Sequence, residues 1–137
     1  MTDEAATAFI REAMPLCATF GVRAEAYTAD AVVLTLDWAT ELCTSNGLLH
    51  GGVIMALADS AGGACAFLNL PEDGAATSTI ESKTNFLGGV KGGSITATAT
   101  ALHRGSTTIV VETSVRDNAG RLVAKVTQTQ AVLRPRA

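Results

Sequence analysis

Aromatic residues, charge and proline are all scarce in this chain. Phe, Trp and Tyr make up only 4% of the 137 residues. So thin a supply excludes the stacking platforms on which proteins bind single-stranded nucleic acid. Lys and Arg total 10 against 13 Asp and Glu, giving a formal net charge of −3, and no basic run occurs. A footprint for nucleic acid or for an anionic membrane is therefore missing. Three cysteines, Cys17, Cys43 and Cys65, follow no metal or redox spacing. Their odd number predicts free thiols in a reducing cytoplasm. The opening segment MTDEAATAFIREAM is acidic and lacks the basic end and apolar stretch of a secretory leader.

Apolar residues account for 47% of the chain, enough to fill the core of one domain spanning residues 1–137. The longest apolar stretch, GGVIMALADSAGGACAFLNL from Gly51 to Leu70, has the length of a membrane span. Asp59 stands in its middle, where a carboxylate opposes insertion by roughly 2.5–3.5 kcal/mol. Gly, Ala and Ser supply most of the remainder. The stretch is read as the central helix of a folded domain, apolar all round and buried on most sides.

The rest of the chain reads as follows. Residues 1–20 form an N-terminal helical segment, with a helix over Thr7–Met14 that Pro15 and Gly21 bring to a close. VRAEAYTADAVVLTLDW predicts two strands with a turn near Ala29-Asp30. ATELCTSNGLLH has no period and forms a loop leading into the helix near His50-Gly51. After Asn69, Pro71 and Asp73-Gly74 come four strands: Thr77–Leu87, Ser94–Leu102, Thr107–Arg116 and Leu122–Leu133. Ile95, Ala97, Ala99 and Ala101 alternate strictly with Thr96, Thr98 and Thr100. Gly88-Gly89, Gly92-Gly93, Gly105 and Asn118-Ala119-Gly120 mark the turns. The fold class is α+β, an antiparallel sheet wrapped around one long helix.

Two features carry chemistry. A carboxylate in an apolar helix is costly unless paired. Asp59 could cap or pair structurally, or act as a general base or nucleophile in a dry pocket. His50-Gly51-Gly52 stand at the helix start, where unpaired amides and the positive helix end can hold a developing oxyanion. Gly51 and Asp59 are eight residues apart, roughly 12 Å along the axis and about 80° around it. One reacting carbon cannot easily touch both within one chain. A second copy with its helix antiparallel would bring its Asp59 to the first copy's Gly51, making two shared sites in a two-fold dimer.

NGLLHGGVIMALADSAGGACA resembles the central helix of hotdog-fold thioesterases, specifically the phenylacetate-pathway type together with the Arthrobacter-type 4-hydroxybenzoyl-CoA thioesterases. Gly47, His50-Gly51-Gly52 and Asp59 match that pattern. So does the tail: Phe86-Leu87-Gly88-Gly89-Val90-Lys91, His103-Arg104-Gly105-Ser106-Thr107 and Asp117–Ala124. The resemblance implies a hotdog dimer, usually paired into a tetramer, that hydrolyses acyl-CoA thioesters, aryl or medium-chain. Neither metal nor separate cofactor is implied, coenzyme A being part of the substrate. By the same resemblance Asp59 and the Gly51 amide are catalytic. Thr44, Asn46, His50, Gly52, Gly63 and Thr79 (with Ser78 as a one-residue alternative) bind the substrate. Gly88, Gly89, Val90, Lys91, His103, Arg104, Gly105 and Ser106 meet the coenzyme. Thr44 departs from the pattern, which has Asn or Gln there; Asn46 could substitute. The His50 ring is expected to order the helix start. A same-fold hydratase would need a second His-acid motif, which is absent. A non-catalytic acyl-CoA binding module remains the alternative, favoured by Thr44 and opposed by Asp59.

Overall fold

The computed structural model describes residues 1–136. Its first element, α1 (Glu4–Ala13), is capped by Asp3, whose carboxylate accepts from the Ala6 N–H at 3.0 Å. Pro15 does not simply end this segment. It opens a second short helix, α2 (Pro15–Phe20), because proline at a first helical position gives up no intrahelical bond. Gly21 closes α2 with φ 69°, a left-handed turn suited to glycine.

Strands β1 (Arg23–Tyr27) and β2 (Val32–Asp37) form the expected hairpin. Two 3-10 turns, Thr40–Leu42 and Ser45–Gly47, carry the chain to α3 (Gly51–Leu68). The Trp38 indole N–H donates to the Gly47 carbonyl at 3.0 Å and ties this loop down. Four strands follow: β3 (Ala76–Phe86), β4 (Ser94–Arg104), β5 (Thr108–Asp117) and β6 (Leu122–Leu133). All strand pairs are antiparallel, in the order β1-β2-β4-β5-β6-β3. The strand that leaves α3 thus crosses to the far edge of the sheet, and α3 lies across β2, β4, β5, β6 and β3.

Small side chains make this wrapping possible. Ala97 and Ala99 of β4 are fully buried against the helix side, as are Ala58 and Ala61 of α3. The larger core residues fill the space around them: Leu57 of α3, Leu34 and Leu36 of β2, Ile109 and Val111 of β5. Burying a side chain such as Leu57 contributes about 1.5–3 kcal/mol.

One expectation fails. The helix is not buried on most sides: nine of its 18 residues are buried, while Gly52, Met55, Asp59 and Phe67 are exposed. A single sheet covers one face of a helix, and the opposite face of α3 is left open. By length and composition alone α3 would pass as a membrane span, yet half of it packs against the sheet. β3 forms one edge of that sheet. It is largely exposed, with a bulge between Thr79 and Glu81 and Ile80 64% accessible.

Candidate active site

Two clefts open along α3. The first lies at its N-terminus and is lined by Thr44, Leu48, Leu49, Gly51, Ile54, Phe86, Gly88 and Gly89. His50 is the N-cap. Its ring Nδ1 accepts from the Gly52 N–H at 2.8 Å, and its carbonyl accepts from Val53 and Ile54. The ring nitrogen thus satisfies one orphan amide of the helix start, which orders the turn. The Gly52 amide is thereby occupied. The Gly51 amide has no acceptor among the described residues and borders the cleft. A Cβ at Gly51 would come within 3.1 Å of the Phe86 ring, so glycine keeps the approach to that amide narrow but open.

Thr44 lines this cleft; Asn46 does not. Asn46 and Gly47 both have left-handed backbones, with φ 64° and 70°. Asn tolerates that conformation, so its place in the turn accounts for it.

The second cleft, of about 410 Å³, opens beside Asp59. α1 and its exit supply Phe9, Ile10, Ala13 and Met14; Tyr27 comes from β1; Ser60, Gly63, Ala64 and Phe67 come from α3. Thr77 and Thr79 of β3 and Gln130 of β6 complete the wall. Ser78 points to the other face of its strand, as pleating demands. The Thr79 hydroxyl accepts from Gln130 Nε2 at 2.7 Å. Asp59 is exposed in the chain, contrary to the expectation of a buried carboxylate, because it stands on the uncovered face of α3. Its Oδ1 accepts a hydrogen bond from Gln128 Nε2, reaching across from β6. The cleft wall is mostly apolar, with the carboxylate at one side.

The residues expected to meet coenzyme A fall into two groups. Gly88 and Gly89 border the N-terminal cleft, and Lys91 is exposed close by in sequence. Val90 is buried at 3% exposure, and its carbonyl accepts from Leu49, so its side chain packs in the core instead of facing a ligand. His103, Arg104, Gly105 and Ser106 lie at the β4–β5 turn. There Arg104 Nε donates to Asn69 Oδ1 at 2.6 Å, and Asn69 caps the C-terminus of α3. The 18 residues of α3 therefore separate the two groups by roughly 27 Å within one chain. Gly105 is required by its turn, since a Cβ there would press on the Thr108 carbonyl at 2.6 Å.

Several residues escaped the sequence reading. Gln128 and Gln130 are fully or almost fully buried, in phase with Ala124 and Val126 on the inner face of β6. Two amides at core positions of an alternating strand were the available signal. Arg121 was also missed. Its guanidinium donates to the Gly89 carbonyl at 2.5 Å and to Asp117 at 3.1 Å, bracing the glycine turn. The contribution of α1 to the Asp59 cleft had no signal in the sequence. Among the described residues no three His, Cys, Asp or Glu side chains cluster as metal ligands.

The thioesterase superfamily model matches residues 46–124. That match covers both His50-Gly51-Gly52 and Asp59. A candidate esterase of Saccharolobus solfataricus is 36% identical over 102 residues, covering 74% of this chain and 71% of that protein. A 1,4-dihydroxy-2-naphthoyl-CoA hydrolase of Listeria monocytogenes is 30% identical over 123 residues, covering 90% of this chain and 99% of that protein. The crystal structure of a thioesterase family protein from Silicibacter pomeroyi superimposes with a TM-score of 0.85 at 28% identity, covering 94% of this chain and 96% of that one.

Proposed function

The chain belongs to the thioesterase superfamily and is a thioester hydrolase, and from that premise we propose that it cleaves an acyl-CoA carrying an aryl or medium-length acyl group. The observation that carries this reading is the division of labour along α3. A free amide at a capped helix start and a carboxylate beside an apolar cleft stand on one helix, roughly 12 Å apart, and open onto separate clefts. An antiparallel second copy brings the two together. The open face of α3 and the outer edge of strand β3, with exposed Met55, Phe67 and Ile80, support such a homodimer. That arrangement also carries one chain's His103–Ser106 turn towards the other chain's Gly88-Gly89, uniting the two groups proposed for coenzyme A.

In the proposed reaction the thioester carbonyl oxygen accepts from the Gly51 N–H, which holds the charge that develops on it. Asp59 of the partner takes a proton from water as the water oxygen adds to the carbonyl carbon. The C–S bond then breaks, and the coenzyme thiolate leaves and is protonated. In the covalent variant the Asp59 carboxylate adds to the carbonyl carbon instead, the C–S bond breaks as the coenzyme thiolate leaves and takes a proton from solvent, and water hydrolyses the resulting anhydride to the free acid and Asp59 carboxylate, returning that proton to solvent. The apolar cleft of about 410 Å³ takes the acyl group, and Thr79 faces it. Coenzyme A arrives as part of the substrate, and the scheme calls on no metal.

The test is thiol release from aryl- and straight-chain acyl-CoAs by the native protein and by Asp59→Asn. Hydrolysis that falls at least 100-fold in a folded Asp59→Asn variant supports the assignment. Acyl-CoA binding without any hydrolysis by the native protein would replace it with a binding module. Label found in Asp59 after a single turnover in ¹⁸O-water identifies the anhydride route, since only water attack on an aspartyl anhydride carbon places it there.

A further inference from the structure

We propose that Gln128 is a positioning residue for the Asp59 carboxylate, and that Gly62 is glycine to make room for it. This rests on the reading of Asp59 as the reacting carboxylate. Gln128 is fully buried on β6, and its Nε2 donates to Asp59 Oδ1. No other side chain donates to Asp59 among the described residues. The amide has only one orientation that suits an ionised carboxylate, with the N–H end towards it. That orientation turns Oε1 into the interior, where it has no hydrogen-bond partner among the described residues. A buried acceptor left unpaired opposes folding, and a leucine of similar size would fill the position without that penalty. The amide at this site is therefore explained by what its other end does.

Gly62 supplies independent support. A Cβ built on Gly62 runs directly into Gln128 Oε1 and stands 3.0 Å from its Cδ. Gly62 lies within α3, with neither a left-handed backbone nor a turn to require glycine. Alanine is the better helix former at such a position, so glycine here answers to the neighbouring amide. Gly62 and Gln128 together set where the Asp59 carboxylate points. A carboxylate free to rotate on the open face of α3 would spend less time aligned with the thioester carbon, and misplacement of this kind lowers turnover more than binding.

The test is a double-mutant cycle read in kcat and KM. Gln128→Leu is expected to fold with an unchanged or higher Tm, to keep KM within about twofold, and to lose roughly 10–100-fold in kcat. Gly62→Ala, which drives the amide off Asp59, is expected to lower kcat similarly. In a Gln128→Ala background, where no amide remains to be displaced, the same Gly62→Ala change should have little further effect. Additive losses from Gly62→Ala and Gln128→Ala would overturn the proposal. So would a Gln128→Leu enzyme with kcat within twofold of native while Asp59→Asn is inactive. Activity that falls only in step with the folded fraction would reduce Gln128 to a packing residue. Full activity of Asp59→Asn would instead bring down the reading of Asp59 itself, and is distinguishable from these outcomes.

Discussion

The amide of Gly51 and the carboxylate of Asp59 rise from the same helix and border different clefts, one lined by Phe86 and the Gly88-Gly89 turn, the other by α1 and β3. Gly51 is the first residue of α3, and its N–H has no acceptor among the described residues. His50 before it has φ −62° and ψ 132°, which is the conformation a residue preceding proline prefers. Gly51→Pro therefore deletes one N–H while the helix start keeps its geometry.

The first prediction follows from that. Gly51→Pro is expected to fold, with Phe86 shifting at the exposed rim, and to lose about 100–1,000-fold in kcat as an oxyanion donor is removed. Mixed with Asp59→Asn and re-equilibrated, the two inactive proteins should recover about a quarter of native activity, because half the dimers then hold one intact shared site of two. Recovery would be absent if both groups served a site within one chain.

The wall of the Asp59 cleft gives the second. Met14 is half-buried at the exit of α1 and faces the cleft with Phe9, Tyr27 and Phe67. Met14→Trp fills part of the space. Its kcat/KM for the bulkiest good acyl-CoA should fall at least tenfold, with short acyl groups within about twofold of native. Equal losses across an acyl-CoA panel would remove α1 from the acyl pocket.

Thiol chemistry gives the third. Cys17, Cys43 and Cys65 are all free; Cys17 and Cys65 are buried, and Cys43 is half-buried. Burial is the main cause pushing the Cys17 and Cys65 thiols up, so thiolate is scarce there at neutral pH. Titration with Ellman's reagent at neutral pH should find Cys43 alone reacting promptly in the native protein, and all three in denaturant. Prompt native labelling of Cys17 or Cys65 would contradict the packing described.

The fourth concerns acid stability. Asp117 accepts from the Arg121 backbone N–H at 2.9 Å, from the Ala119 N–H at 3.0 Å and from the Arg121 guanidinium at 3.1 Å. These bonds, the Arg121 N–H foremost, hold its carboxyl below the usual range. A carboxyl lowered by folding adds stability that is present above its unfolded pKa of about 3.9 and is lost as pH falls through the lower folded value. The stability gap between the native protein and Asp117→Asn should be constant above about pH 5 and shrink below about pH 4. Urea unfolding across pH 3–7 measures it, and a gap that widens on acidification would refute the assignment.

Much of this architecture was legible along the chain. The hairpin, the central helix and the four later strands follow from alternation and from glycine and proline punctuation, since those signals are local. The β4 alternation of Ile95, Ala97 and Ala99 against threonines states directly which face is buried. Pro15 misled because proline both ends and begins helices, and only the packing of α2 decides between them. Gln128 was passed over because its meaning depends on α3, which is 60 residues away at its end in Leu68.

The sequence by itself determined the order of elements, the pairing of a glycine helix start with a carboxylate eight residues on, and the family to which they belong. Spacing along a helix is a matter of its fixed rise and rotation, so the proposal of a site shared between two chains starts from the positions of residues 51 and 59 alone. Only the tertiary structure decided that β3 crosses to the far edge, that one face of α3 stays open with Asp59 upon it, and that the Gly52 amide is taken by the His50 ring while the Gly51 amide has no acceptor among the described residues. These are contacts between residues distant in the chain or between a ring and a backbone at one geometry. The burial and hydrogen-bonding demands that select them are felt only once the sheet has closed on the helix.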